Sequence, residues 1–237
     1  MCGRYSLHAN PEVVALQFAL EHAPHFKPSY NVCPGSEIVV VRVARDGKRV
    51  AGHNRWGLVP HWAKDAAIGS KLANARGESV AERPAFRDAF RERRCLVPAS
   101  GFYEWQRVGR GKLPWYLQPR DAPLFALAGI TAYWKGLRTL SLITTVANEL
   151  MKPIHERMPV IIAPQDYGAW LDPQNRDLDA LMRYVKPYDA ARMAAHRVGM
   201  RVNTPENDDA SLIEETADGP AQRELCNTVY NASSWTP

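Results

Sequence analysis

The first residue of the chain with distinctive chemistry is Cys2, which directly follows Met1 in the opening sequence MCGRYS. Small residues at positions 2 and 3 favour removal of Met1, which would leave an α-amine and a thiol on one residue. An α-amine has a pKa of about 7.7–8.0, so about a quarter of it is neutral at physiological pH, whereas a lysine amine is almost fully protonated. The sequence therefore offers a nucleophile that works near neutral pH without tuning by the fold.

Two kinds of chemistry suit such an N-terminus, and an incidental cysteine is a third interpretation. The amine can add to an aldehyde and form an imine, after which the thiol can close onto the imine carbon and give a thiazolidine. Alternatively, the amine can act as the base for its own thiol, which then attacks an amide, as in N-terminal nucleophile hydrolases. Glutaminase domains of amidotransferases also begin Met-Cys-Gly. Cys2 alone leaves all three interpretations open.

Glu104 is the second candidate, because it interrupts the aromatic segment GFYEW at 101–105. A carboxylate among aromatic side chains needs a partner or a pocket, and burial would raise its pKa toward the range useful for proton transfer. Trp105 in this segment and Trp56, farther upstream in WGLVPHW, are expected in the core. Glu104 is therefore a candidate general acid and base.

Two further segments carry side chains that suit a site. Asn74 and Arg76 lie at a loop-to-helix join in NARGES, and His155 and Arg157 precede the apolar segment MPVII. Each also has an ordinary structural interpretation, since a lone histidine commonly caps or lies at the surface and arginines commonly form ion pairs. These residues alone do not identify a reaction.

The elements that must position these residues are mostly short strands joined by hairpins. The pattern predicts a hairpin over 38–59, strands over 94–100, 101–108, 113–118, 124–134 and 137–147, and two more near 158–163 and 193–198. It predicts helices over 10–23, with Val13, Leu16 and Leu20 on one face, over 82–94, and within 164–185. The predicted class is α+β, with a mostly antiparallel, barrel-like sheet core and peripheral helices in a single domain.

Composition excludes several classes of site and protein. The 237 residues include four scattered cysteines, no C-x-x-C pair and no H-E-x-x-H, so neither a metal site nor a cofactor is expected. The sequence contains no phosphate-binding loop, no G-x-S-x-G and no apolar stretch long enough for a membrane. The net charge is +5 although 203–219 carries acids and no Lys or Arg, a balance that suits a polyanionic partner or a merely basic surface.

Seven segments together resemble one family. MCGRY, YNVCPG, WGLVPHW, NARGES, GFYEW, HERMPV and VNTPENDD occur in the order found in SOS response-associated peptidase (SRAP) proteins. The resemblance runs from Cys2 to about Leu212, which places a single SRAP domain at 1–212 and a polar C-terminal tail at 213–237.

The resemblance implies a function for this terminus. SRAP proteins recognise abasic sites in single-stranded DNA and crosslink to them through the N-terminal cysteine, here Cys2. It implies acid and base work for Glu104, a place near the abasic sugar or its 3′ phosphate for His155, and orientation of the sugar or the terminus by Asn74. It also implies a lyase activity, which thiazolidine closure should suppress, and the autoproteolytic peptidase activity of the family name.

The resemblance further implies a DNA-binding surface. Candidates for phosphate contacts are Arg4, Arg76 and Arg157, Trp62 would stack on a base, and Asn31 and Pro34 would shape the pocket wall. The expected partner is single-stranded DNA with abasic sites, with no membrane and no cofactor. A cytoplasmic monomer that associates with the nucleoid when bound to DNA is expected. The alternative remains an amide hydrolase that uses the same N-terminal nucleophile.

Overall fold

The structure, a computed structural model, describes residues 2–216. Its five α-helices in this range are short: α1 Pro11–Phe18, α2 Gly77–Val80, α3 Arg87–Glu92, α4 Tyr167–Leu171 and α5 Leu178–Met182. Its strands are β1 Tyr5–Leu7, β2 Ser29–Val32, β3 Glu37–Val43, β4 Arg49–Trp56, β5 Asn74–Arg76, β6 Arg94–Ala99, β7 Gly101–Val108, β8 Gly111–Pro119, β9 Phe125–Trp134, β10 Leu137–Val146, β11 Arg157–Pro159, β12 Ile161–Ile162 and β13 Met193–Arg197. Short 3₁₀ helices occupy Ala66–Lys71, Pro164–Asp166, Ala190–Arg192, Met200–Asn203 and Ala210–Ile213.

One sheet closes on itself as a barrel. Its strands follow the order β10-β4-β3-β6-β9, and β9 pairs again with β10. These pairings are antiparallel except for β4, which runs parallel to β10. β5 and β11 add to β10, and β12 adds to β9. The predicted α+β class with a mostly antiparallel, barrel-like core is confirmed.

A second sheet brings the N-terminus onto the barrel. Its five strands are all antiparallel and follow the order β13-β8-β7-β1-β2. In β1, the Tyr5 ring packs edge-on against the Trp56 ring with centroids 5.6 Å apart. Trp56 is a core residue, as predicted, and its indole N–H donates to the Ala73 carbonyl over 2.9 Å. Because Ala73 directly precedes β5, these contacts align the start of the chain with that strand.

The first two helices of the prediction are both shorter in the structure. The segment 10–23 forms α1 only to Phe18, because Ala19 adopts a left-handed φ of 53°. The face also differs: Phe18 is buried and stacks on Tyr167 at 5.2 Å, whereas Leu16 is 85% exposed. Apolar residues occupy two faces of this helix, so only the packing partner decides which one is buried. The segment 82–94 is helical only over α3.

The acidic segment after 203 lies against the second sheet up to the last described residue. The Asp208 carboxylate accepts from the Tyr30 backbone N–H over 2.5 Å, and Leu212 is buried. Farther on, the Ile213 carbonyl lies 2.8 Å from His196 Nε2, and Glu215 forms a bridge with Val198. Of the predicted tail, 217–237 lies outside the described residues, and its role stays a prediction.

Candidate active site

The pairing of β1 with β7 places the N-terminus beside Glu104. Tyr5 lies opposite Phe102, and the Tyr103 N–H donates to the Arg4 carbonyl over 2.9 Å. Continuing this antiparallel register places Gly3 opposite Glu104. Cys2 is fully buried immediately before it.

Glu104 is a buried carboxyl whose environment favours the protonated form. It lies in the middle of β7 and is 2% exposed. Burial raises the pKa of Glu104 to about 7, because removal from water penalises the carboxylate more than the neutral acid. The sequence-based expectation of a raised pKa is therefore confirmed. Near neutral pH the group exists in both forms, so it can donate or accept a proton.

The Cys2 thiol is held in its neutral form. Burial, followed by the negative charge of Glu104, raises the pKa of Cys2 well above its ordinary value. Both effects disfavour the thiolate form of Cys2.

Asn74 connects the N-terminus to the barrel. It opens β5, which runs alongside β10 with Asn74 opposite Leu142. Its Nδ2 donates to the Cys2 carbonyl over 2.8 Å. Within residues 2–216, its buried Oδ1 has no hydrogen-bond partner, so it can accept from a further donor at the terminus.

His155 is held by the turn that leads into β11. The Arg157 backbone N–H donates to His155 Nδ1 over 2.9 Å, which leaves the proton of the neutral ring on Nε2. Burial, followed by the positive charge of the chain's N-terminus, lowers the pKa of His155. The same positive charge also lowers the pKa of Cys2 and of Glu104, against the larger effect of burial. Of the predicted site residues, the structure joins Asn74 to Cys2 by a hydrogen bond, and the β1–β7 register brings Gly3 opposite Glu104.

Two of the predicted DNA contacts are engaged inside the protein. Arg4 Nη1 donates to Asn31 Oδ1 and to the Val202 carbonyl, each over 2.6 Å. Asn31 is buried, and its Nδ2 donates to the carbonyls of Thr204 and Asn207 over 3.1 and 2.7 Å. Together they fasten the 202–207 loop to the second sheet. A phosphate contact by Arg4 and a pocket-wall role for Asn31 stay predictions.

Arg157 and Arg76 flank the same part of β10. Arg157 makes two hydrogen bonds to the Glu78 carboxylate over 2.5 and 2.9 Å, and its Nη2 donates to the Thr144 carbonyl over 2.7 Å. The Arg157 side chain is only 11% exposed, whereas Arg76 is exposed and lies opposite Thr144. The Arg157 guanidinium also lowers the pKa of Glu78. Arg76 is thus the more accessible of the two predicted phosphate contacts.

Pro34 and Trp62 lie at the surface. Pro34 is exposed in the turn between β2 and β3, which closes where the Gly35 N–H donates to the Trp56 carbonyl over 2.7 Å. Gly35 has a φ of +94°, which favours glycine. Trp62 is 52% exposed on the loop after β4. The roles predicted for both, wall and stacking platform, stay predictions.

Sequence analysis missed two side chains near the site. Glu78 belongs to the NARGES segment, but its pairing with Arg157 joins positions far apart in the chain. Trp105 is not the core residue that was predicted: it is partly exposed, and its indole N–H donates to Asn203 Oδ1 over 2.7 Å. The position of Trp105 in an aromatic segment did not indicate that its side chain would be partly exposed.

Neither metal ligation nor a membrane span is evident in residues 2–216. No group of three or more His, Cys, Asp or Glu side chains in that range is arranged to hold a metal ion. In the same range no helix has the length and apolar character needed to cross a bilayer.

Curated relatives match nearly the whole chain. A protein of Bacillus subtilis strain 168 named abasic site processing protein YoqW is 40% identical over 223 residues, which cover 90% of this chain and 99% of that protein. Chicken abasic site processing protein HMCES is 32% identical, with 77% of this chain and 65% of that protein covered.

Solved structures share the fold of this chain, and a family model matches most of its length. A Bacteroides thetaiotaomicron protein superposes with a TM-score of 0.82 at 26% identity, covering 91% of this chain and 100% of that one. A Bordetella bronchiseptica protein with a TM-score of 0.74 and 24% identity, covering 84% of this chain and 100% of that one, shares the fold. The model of the family described as SOS response associated peptidase (SRAP) matches residues 1–205. The chain belongs to that family.

Proposed function

We propose that this protein processes abasic sites in single-stranded DNA by forming a covalent crosslink through the N-terminus of the mature chain at Cys2. The observation that carries the proposal is the burial of Cys2 beside Glu104, a carboxyl with a pKa of about 7. The names of the curated relatives, abasic site processing proteins, support the substrate. An abasic sugar opens to an aldehyde, which is the electrophile that an aminothiol captures.

The crosslink forms in two bond-making steps and releases one water molecule. The neutral α-amine of Cys2 adds to the C1′ aldehyde and gives a carbinolamine, which loses hydroxide as water to form the imine. The Cys2 sulfur then adds to the imine carbon while the thiol proton passes to the nitrogen. The product is a five-membered thiazolidine, and no oxidant or reductant is needed.

Glu104 is suited to move the protons of this sequence. As the acid it donates to the ring oxygen during sugar opening and to the departing hydroxyl of the carbinolamine. As the carboxylate it takes the proton that the thiol loses and passes it to the nitrogen, which offsets the raised pKa of Cys2. A carboxyl with a pKa near 7 changes between these forms at little cost.

Asn74 and His155 are proposed to orient the reacting groups. Asn74 holds the Cys2 carbonyl through its Nδ2, and its buried Oδ1 is placed to accept from the α-amine of the mature chain. His155 keeps Nδ1 occupied by the Arg157 N–H, so that its Nε2–H is the donor for a sugar or phosphate oxygen. A lowered pKa keeps this ring neutral at physiological pH.

The other activities implied by the resemblance are less well supported. Amide hydrolysis by the Cys2 thiol, including peptidase activity, would make the thiol the first nucleophile, whereas burial and Glu104 raise its pKa. Strand cleavage by β-elimination would start from the imine, and thiazolidine closure removes that intermediate. We therefore place crosslinking to DNA first, by a monomer that acts in the cytoplasm and at the nucleoid.

The test compares the wild-type chain with Cys2→Ala on single-stranded DNA that carries one abasic site. Wild type should give a heat-stable band of reduced mobility on a denaturing gel. Cys2→Ala retains a free α-amine but no thiol, so it should give a crosslink only after borohydride reduction of the imine, together with more strand cleavage. DNA without an abasic site is the control. Absence of the heat-stable band with wild type would overturn the proposal.

A further inference from the structure

The hairpin that follows Glu104 carries a group of cations without acidic neighbours in sequence. Residues 105–118 contain Arg107, Arg110 and Lys112 but no Asp or Glu. All three side chains are exposed, at the end of β7, in the turn and at the start of β8. Among residues 2–216, no ion pair joins any of them to a carboxylate. We call residues 107–112 the hairpin arm.

Strand alternation places Arg107 and Lys112 on the face of the second sheet that carries Trp105, opposite the face that carries Glu104. Arg107 lies two residues after Trp105, so both side chains point to the same face of β7. Lys112 lies directly opposite Arg107 on β8 and shares this face. At the other end, the Arg4 guanidinium lies 5.8 Å from the centre of the Trp105 ring. The face therefore presents a partly exposed aromatic ring followed by two exposed cations, leading away from the buried terminus.

The base of the hairpin is fastened to the segment that carries His155. Gln106 Nε2 donates to the Pro153 carbonyl over 3.1 Å, and the Trp115 indole N–H donates to Gln106 Oε1 over 3.1 Å. Gln106 is thus bonded on both sides. These bonds hold the direction of the hairpin arm relative to the candidate active site, so its cations occupy a defined direction from the lesion.

A second hairpin shows that basic residues at a turn do not by themselves form such a surface. The β3–β4 turn contains Arg45, Asp46 and Lys48. Asp46 accepts from the Lys48 backbone N–H, and the Lys48 ammonium pairs with Glu21 over 3.0 Å. Its charges are balanced locally, in contrast to those of the hairpin arm. This turn supplies the matched control.

We propose that the hairpin arm binds DNA backbone phosphates on one side of the abasic site, a proposal that rests on the proposed function. Arg107 lies three residues from Glu104, about 10 Å along β7 and on its opposite face, and that length corresponds to about three stacked nucleotides. A guanidinium and an ammonium bind phosphate well, and the Trp105 ring offers a stacking surface for a base between lesion and arm. The arm would hold the strand in line while Cys2 reacts.

The test measures reversible binding, separately from crosslinking. The full wild-type chain and the double variant Arg107→Gln/Lys112→Gln are titrated onto single-stranded DNA with a tetrahydrofuran abasic analogue, which has no aldehyde. Loss of two phosphate contacts should reduce the log–log salt slope by about 1.4. Between 50 and 200 mM salt, wild type should then lose roughly sevenfold more affinity than the variant. The control Arg45→Gln/Lys48→Gln removes the same charge and should keep the wild-type slope.

DNA of different lengths locates the contact. With the strand shortened to one nucleotide on the side that the arm engages, wild type and the hairpin variant should bind equally, and shortening the other side should preserve their difference. Equal slopes for hairpin variant and control on long DNA would overturn the hairpin proposal. If wild type still crosslinks aldehyde-bearing DNA in that case, the proposed function stands, whereas absence of that crosslink overturns the proposed function itself.

Discussion

Cys2 and Cys95 are both fully buried, and burial raises the pKa of both thiols well above the ordinary value. Cys95 lies near the start of β6 opposite Gly129, where an added Cβ would be 2.7 Å from the Cys95 sulfur. For Cys95, burial is the sole cause of the shift, whereas Cys2 also responds to Glu104 and to the N-terminal charge. The comparison shows that burial alone does not distinguish the two thiols, and that a neighbouring carboxyl does.

The largest expected difference between the two cysteines is in crosslinking. Cys2→Ala should abolish the heat-stable crosslink to abasic single-stranded DNA, because no sulfur remains to close the ring. Cys95→Ala should crosslink at the wild-type rate and lose only about 1 kcal/mol of unfolding free energy, for one buried group. Denaturing gels and urea unfolding measure the two effects. A Cys95→Ala protein that folds but no longer crosslinks would break the distinction.

The second difference is the carboxyl that only Cys2 has beside it. Glu104→Gln should slow crosslinking by at least about 100-fold at pH 7, the usual contribution of a general acid or base. Single-turnover crosslinking rates measure this effect, and Gln106→Glu/Glu104→Gln tests whether a carboxyl elsewhere on β7 can substitute. Wild-type rates for Glu104→Gln would remove Glu104 from the mechanism.

The raised pKa of Glu104 also lowers the free energy of unfolding as the pH rises. Folding favours the protonated form of Glu104, because its pKa in the folded state is raised to about 7. The contribution of this group to the free energy of unfolding is therefore complete below its unfolded-state pKa and is lost as the pH rises through 7. Glu104→Gln should therefore unfold like wild type near pH 4 but be more stable by up to about 3 kcal/mol above pH 8. Urea unfolding across this range measures it. A difference independent of pH would contradict the assigned pKa.

The smallest expected effect is a difference in alkylation rate between Cys33 and the two buried cysteines. Cys33 is half-buried, so its sulfur is more accessible than those of the two buried thiols; burial raises its pKa, and the nearby Arg4 charge opposes that shift. In a Cys226→Ser chain, iodoacetamide should modify Cys33 first, by about tenfold or more in rate. Peptide mass spectrometry of the native protein identifies the order. Faster labelling of Cys2 would mean that its thiol is more accessible than the buried site allows.

Local pattern was sufficient to predict most of the strands, and it singled out Glu104 as a candidate site residue. The alternation and turn residues between 94 and 147 gave β6–β10, and Glu104 was recognised because a carboxylate in an aromatic strand needs a special environment. Asn74 was predicted from the family resemblance, and its bond to Cys2 agrees with a place at the terminus. These features depend on neighbours in sequence or on a known motif.

Long-range pairings were beyond the reach of the sequence. The closure of the barrel depends on β10 pairing with both β4 and β9, and no local signal encodes that choice. The same holds for Arg157, whose partner Glu78 is distant in the chain, and for Arg4, which reaches Asn31 and Val202. Arg4 and Arg157 were expected to contact phosphates because the family resemblance implies it, and the sequence does not show which internal acceptor each one meets.

The central claim is that the amine and the thiol of Cys2 both bond to the abasic sugar, and intact mass spectrometry tests it most directly. Chains that begin at Cys2 and chains that retain Met1 would be incubated with single-stranded DNA bearing one abasic site. The account predicts an adduct equal to protein plus DNA minus one water for the first chain, carried on its N-terminal peptide and resistant to borohydride. It predicts no adduct for the second chain. An adduct of equal yield on the Met1-retaining chain, or on any other peptide, would contradict the account.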